Sequence, residues 1–205
     1  MSTHSIPTPV THRVSNSPPA SQVRCPGCGL SAAASGSAPP PEHNATSGCW
    51  ERYGALLARS YSDPVRRGVH QMVVDAYAGQ HSGGTTRREI QATALCLMTL
   101  CLVVEDGADP AAGPALHKQM IAHRPSFHWL QPPPPQQWLT VQDVLAADTA
   151  RQHLDLVRRW GQQVWQAWAL HHETIRQWNT IALTRQPPVS SRKTVDNDDV
   201  ELAQP

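Results

Sequence analysis

Ala94-Leu95-Cys96-Leu97-Met98-Thr99-Leu100-Cys101-Leu102-Val103-Val104 is the most apolar run of the chain, and its reading decides the fold. It is far shorter than the ~20 apolar residues a helix needs to cross a bilayer. Upstream, Thr86-Arg87-Arg88-Glu89 has the spacing of a capping box, in which the Thr hydroxyl and the Glu carboxylate satisfy backbone N–H groups reciprocally. Downstream, Asp106-Gly107 is a stop. The run is therefore a buried helix, and because it is apolar nearly all round in its second half it should be the central one.

Working outward toward the N-terminus, Asp63-Pro64 is a helix start, with Asp as N-cap and Pro at the first helical position. The spacing predicts one helix from there to about Gln80, stopped by Ser82-Gly83-Gly84. Before it, Trp50, Tyr53, Leu57 and Tyr61 recur at helical spacing. Toward the C-terminus a short helix is expected around Ala115 to Ala122, then an irregular packed segment with Pro125, Phe127, Trp129 and Pro132 to Pro135. Thr140 and Asp143 open a brief helix. Leu154, Val157, Gly161, Val164, Trp168, His171, Ile175 and Trp178 then alternate three and four apart, predicting one long helix with a single buried stripe. No period-two alternation and no repeat appears. The expected fold class is all-α: an antiparallel helical bundle with a zinc-knuckle-like Cys-x-x-Cys turn at its N-terminal end.

Residues 1–23 and 185–205 carry too few apolar side chains to offset chain entropy and read as disordered tails, leaving residues 24–184 as one metal-binding helical domain. The formal net charge is +1 with no basic face, which argues against nucleic acid as a partner and leaves a protein or a small molecule. No secretory signal is evident, so a cytoplasmic, reducing setting is the expectation, with no membrane attachment. There, the five cysteines are thiols or metal ligands rather than a disulfide framework.

Cys25-Pro26-Gly27-Cys28-Gly29 is the sharpest chemical signal. Two intervening residues let both sulfurs face one ion, and Gly29 can take the left-handed conformation the turn needs. A redox pair of the thioredoxin type would instead follow a strand and open a helix. Zinc takes about four ligands, so two more are required. Cys49, where the chain regains order after a Ser/Ala/Gly/Pro stretch from Leu30 to Pro41, is the candidate third. Cys96 and Cys101 lie within the apolar helix and read as core.

A histidine is needed for the fourth place. His70 and His81 are eleven residues apart, roughly 16 Å along a continuous helix, so they cannot share an ion unless the helix breaks. His81, beside the Gly-rich exit, has the freedom to turn inward. His171 occupies an inward position of the C-terminal stripe, beside His172. Asp75, in Val73-Val74-Asp75-Ala76-Tyr77, should be partly buried and paired with an Arg or His; its alternative role, like that of His172, is to orient a metal-bound imidazole. The histidines at 43, 117, 128 and 153 read as loop or exposed positions.

Cys25-Pro-Gly-Cys28-Gly29, Gly48-Cys49-Trp50, His70-x-x-x-Val74-Asp75-Ala76-Tyr77-Ala78-x-Gln80-His81-x-Gly83 and Trp165-x-x-Trp168-Ala-x-His171-His172 together resemble a bacterial family of unknown function, over about Arg24 to Asn179. The resemblance implies that these cysteines and histidines form the site. Two departures are Ser82, where the family usually has Pro, and a longer N-terminal extension. Three function classes follow from the residues: a zinc-stabilised binding or regulatory module, a metal-dependent hydrolase or transferase, and a thiol redox or sensor protein.

Overall fold

The computed structural model describes residues 22–34, 36–123, 126–135 and 138–184. The predicted tails lie outside these residues, except that Gln22 and Val23 belong to a strand. The chain folds as an all-α antiparallel bundle, with one two-stranded sheet at its N-terminal end. In order come β1 (Gln22–Arg24), β2 (Ser31–Ala33), α1 (Ser47–Tyr61), α2 (Pro64–Arg67), α3 (His70–Gln80), α4 (Arg87–Val104), α5 (Gly113–His123), α6 (Val141–Leu145), α7 (Ala150–Ala167) and α8 (His172–Thr184).

The apolar run forms the second half of α4, and every residue from Ala94 to Cys101 is buried. Burial on all sides follows from its neighbours, since α3, α5, α7 and α8 all pack against it. The capping boxes at Thr86/Glu89 and Thr140/Asp143 are both formed. Large side chains from several helices meet in the middle: Leu97, Met98 and Leu100 from α4, Met120 from α5, Trp160 and Trp165 from α7, and Ile175 from α8 are at most 1 % exposed.

Three local predictions change. The helix expected from Asp63 to Gln80 is two helices. α2 ends after one turn at Gly68, where i→i+3 bonds from Gly68 N to Val65 O (3.3 Å) and Val69 N to Arg66 O (3.2 Å) tighten the chain before α3 starts. Ser31–Ala33, read as part of a flexible stretch, pairs with Gln22–Arg24 as an antiparallel hairpin. The long C-terminal helix is also two, separated by a 3-10 turn over Ala169–His171. Such a turn advances about 120° per residue rather than 100°, so three residues shift the stripe by only about 60°, too little for the sequence pattern to register. The break lets α8 fold back onto α4 and α5.

His153, read as exposed, is fully buried in α7, and neither ring nitrogen has a hydrogen-bond partner. Burial, reinforced by the nearby Arg66 and Arg59 and opposed by Asp63, pushes its pKa down to about 4. The unfolded chain therefore takes up this proton first, and stability should fall as pH drops from about 6.5 toward about 4. Chemical denaturation of His153→Leu across that range should show a shallower loss than the parent chain. Parallel curves for the two proteins would remove His153 as the cause.

Candidate metal centre

The hairpin exists to present a turn. β1 and β2 pair from Gln22 opposite Ala33 to Arg24 opposite Ser31, and the residues between them close through Cys25 N to Leu30 O (2.8 Å) and Gly29 N to Cys25 O (2.9 Å). Gly29 sits at φ +78°, a conformation that any side chain would strain. Gly27 is required for a different reason. A Cβ there would fall 2.6 Å from both the Asn44 carbonyl oxygen and Cδ2 of His81. The turn is thus seated directly on the histidine, and Asn44 N donates to His81 O (2.7 Å) to hold the following loop against the end of α3.

Cys49 arrives from the other side, in the first turn of α1. Thr46 caps this helix, its hydroxyl accepting from Cys49 N at 3.4 Å. Besides Gly48, the buried positions of α1 are Cys49, Tyr53, Leu56 and Ser60, one residue away from much of the predicted aromatic stripe, so the cysteine lies at the head of the inward face. His81 is the residue that ends α3. Its Nδ1 lies 2.8 Å from Tyr77 O, a carbonyl that can only accept, so Nδ1 carries the proton and Nε2 presents a lone pair. Nε2 is 3.4 Å from the Cys49 sulfur, which is 3.7 Å from the Cys28 sulfur.

The donor atoms of Cys25, Cys28, Cys49 and His81 all lie within 4.8 Å of one another. None of the four residues is more than 4 % exposed. The imidazole is held by a stack of rings, with His81 3.9 Å from Tyr77 and Tyr77 3.8 Å from Tyr53 between centroids. The Tyr77 hydroxyl donates to the Cys49 sulfur at 3.7 Å, and burial pushes the Tyr77 pKa up, which keeps it a donor.

The three thiols share charge unevenly. Cys25 is drawn far below the ordinary thiol range by hydrogen bonds from Cys28 and then Cys49. As donors to it, Cys28 is pushed far up and Cys49 up to about 12. Buried sulfurs this close accept one negative charge readily and resist the second and third, and a cation is what would relieve that repulsion. A buried Cys3His set of this kind can hold a metal ion.

The other residues singled out from sequence are elsewhere. His70, at the start of α3, has Nδ1 2.6 Å from the Ser60 hydroxyl. His171 donates through Nε2 to the Gln131 carbonyl at 3.0 Å, because the 3-10 turn takes it off the inward face. His172 stacks on Trp165 with centroids 3.7 Å apart and donates to Trp165 O. Asp75 belongs to a separate cluster with Cys96 and His117.

Sequence reasoning missed Tyr77 as a partner of Cys49; its position four residues before His81 was the available signal. It also missed His43, whose ring lies 5.4 Å from Tyr77 and whose pKa burial lowers.

No curated protein and no solved structure matches this sequence. The model of a family of unknown function, DUF5946, matches residues 23–169. That stretch contains the knuckle hairpin, Cys49 and His81, and it ends before His171 and His172. Since it spans well over half the sequence, the chain belongs to the DUF5946 family.

Proposed function

We propose that Cys25, Cys28, Cys49 and His81 hold one structural zinc ion, and that the helical domain it stabilises is a binding or regulatory module for a protein or small ligand. The observation that carries this reading is closure: three sulfurs and one imidazole nitrogen, all buried, supply the full tetrahedral complement of zinc. Three soft thiolates with one imidazole suit zinc better than an oxygen-preferring cation. The ion would tie the hairpin, α1 and α3 together, adding to the Tyr53–Tyr77 stack and the seating of Gly27 on His81.

A metal-dependent hydrolase or transferase needs an open coordination position and space for a substrate. The cleft beside the site, between Gly27, Gly79, Gln80, Pro133 and Trp168, has room for about 10 Å³, no more than one water. A thiol redox role is opposed by the third sulfur and the imidazole in contact with it.

Metal analysis of the purified full-length chain should return zinc. After stripping and loading with one equivalent of cobalt, the spectrum should show a tetrahedral ion with strong sulfur-to-metal charge transfer that azide leaves unchanged. An azide-dependent spectrum would favour the enzyme reading. A metal-free protein with a Cys28–Cys49 disulfide would favour the redox one.

A further inference from the structure

Asp75, Cys96 and His117 come from three different helices and meet in the interior, with one donor atom of each within 4.8 Å of the others. Asp75 is fully buried on α3, Cys96 is buried on α4, and His117 lies on α5 with 20 % of its side chain exposed. Gln71, one turn before Asp75, donates through Nε2 to Asp75 Oδ1 at 2.9 Å. His117 Nε2 lies 3.2 Å from the same oxygen but is not aligned for a hydrogen bond.

Two buried polar atoms in this cluster are left without hydrogen-bond partners: Asp75 Oδ2 and His117 Nε2. Unsatisfied groups of this kind are rare in a folded core and call for an explanation. The Cys96 thiol lies against the same carboxylate, so a carboxylate, a sulfur and an imidazole converge in the interior, with Gln71 bonded to one of the two carboxylate oxygens.

We propose that Asp75, Cys96 and His117 form a second divalent-metal site, of the zinc type, independent of the Cys3His centre. One oxygen, one sulfur and one nitrogen make a mixed set that zinc accepts, with a fourth position left for water. Zinc bonds of about 2.0–2.3 Å put neighbouring donors roughly 3.3–3.8 Å apart, so the side chains need close by no more than about 1.5 Å. An ion would occupy both orphaned atoms at once. It would also counter the burial that raises the Asp75 and Cys96 pKa values, since both must be anions to bind it. Gln71 holds the carboxylate in place, as hydrogen-bond partners of metal-bound carboxylates do. The partly exposed His117 edge is the route by which an ion enters.

The test is zinc stoichiometry of the full chain, stripped, refilled with zinc and freed of excess by gel filtration. The parent should hold two equivalents. Asp75→Asn and His117→Ala should each hold one, and Cys28→Ser should also retain one. With cobalt, the second equivalent should add a band of single-thiolate intensity that Cys96→Ser removes. Should Asp75→Asn fail to fold, His117→Ala at the rim keeps the measurement available. A parent chain saturating at one equivalent, with Asp75→Asn unchanged from it, overturns the proposal and leaves Asp75–His117 as a buried ion pair. The Cys3His reading fails separately, if Cys28→Ser holds as much zinc as the parent.

Discussion

Cys49→Ser should lose the ion of the Cys3His centre and suffer the largest loss of stability of any single substitution there. Cys49 is fully buried and is the sulfur that touches Cys28, His81 and Tyr77 at once. Serine keeps the size and removes the thiolate, so the effect reports ligation rather than packing. Structural zinc contributes about 10–16 kcal/mol in zinc-finger peptides, which have no other core. Here α4 and its neighbours retain their own packing, so only part of such a contribution should fall on global stability. A Tm drop of at least ~10 °C is expected, at roughly 2–4 °C per kcal/mol for a chain of this size. Cys101→Ser is the control: Cys101 sits 3.7 Å from Glu105 Oε2 on α4, outside both candidate metal clusters. Thermal melts with zinc analysis on both variants decide the matter, and equal zinc at the Cys3His centre in the two would displace Cys49 from it.

Trp168→Ala should destabilise comparably by another route. Trp168 is 1 % exposed, and its Nε1 donates to Gly79 O at 3.1 Å, fastening the end of α7 to the end of α3 just before His81. Truncating a buried tryptophan costs about 3–5 kcal/mol, through the lost burial of the ring and the cavity left behind. Trp168→Phe should cost much less, because Gly79 O keeps the Ser82 hydroxyl at 3.3 Å as a partner. Both variants should keep zinc at the Cys3His centre when folded at low temperature. Denaturant midpoints measured alongside metal content separate this packing loss from the ligand loss of Cys49→Ser. A Trp168→Ala protein as stable as its parent would mean that the α7–α3 junction carries little of the stability.

The residues that were legible in the sequence are those whose role is written locally. The knuckle spacing of Cys25 and Cys28, the capping boxes at Thr86 and Thr140, and the all-round apolar character of α4 depend on neighbours within a few positions. The helix breaks at Gly68 and at Trp168–His171 did not show, because a tightened turn barely changes hydrophobic phase. His43, His117 and His153 looked like loop or exposed histidines, since nothing adjacent marks them otherwise. His153 is fully buried and the other two partly so, through contacts that include residues far away in sequence, such as Tyr77 for His43 and Asp75 for His117.

By itself the sequence determined that the chain makes helices, that one of them is central, and that a Cys-x-x-Cys turn precedes them. These follow from periodicity, capping and backbone sterics, all short-range. Only the tertiary structure decided which histidine stands with the cysteines. In sequence terms the Gly-rich exit favours His81 over His70 without fixing where either lies relative to the cysteines; α3 runs unbroken between them, so they occupy opposite ends of one rigid rod. The hairpin and the start of α1 meet that rod at its C-terminal end, where Gly27 packs on the His81 ring. Likewise Asp75, Cys96 and His117 become one cluster only because α3, α4 and α5 pack side by side. Convergence of distant residues is set by how helices dock, and that depends on the shape of the whole core rather than on any stretch of it.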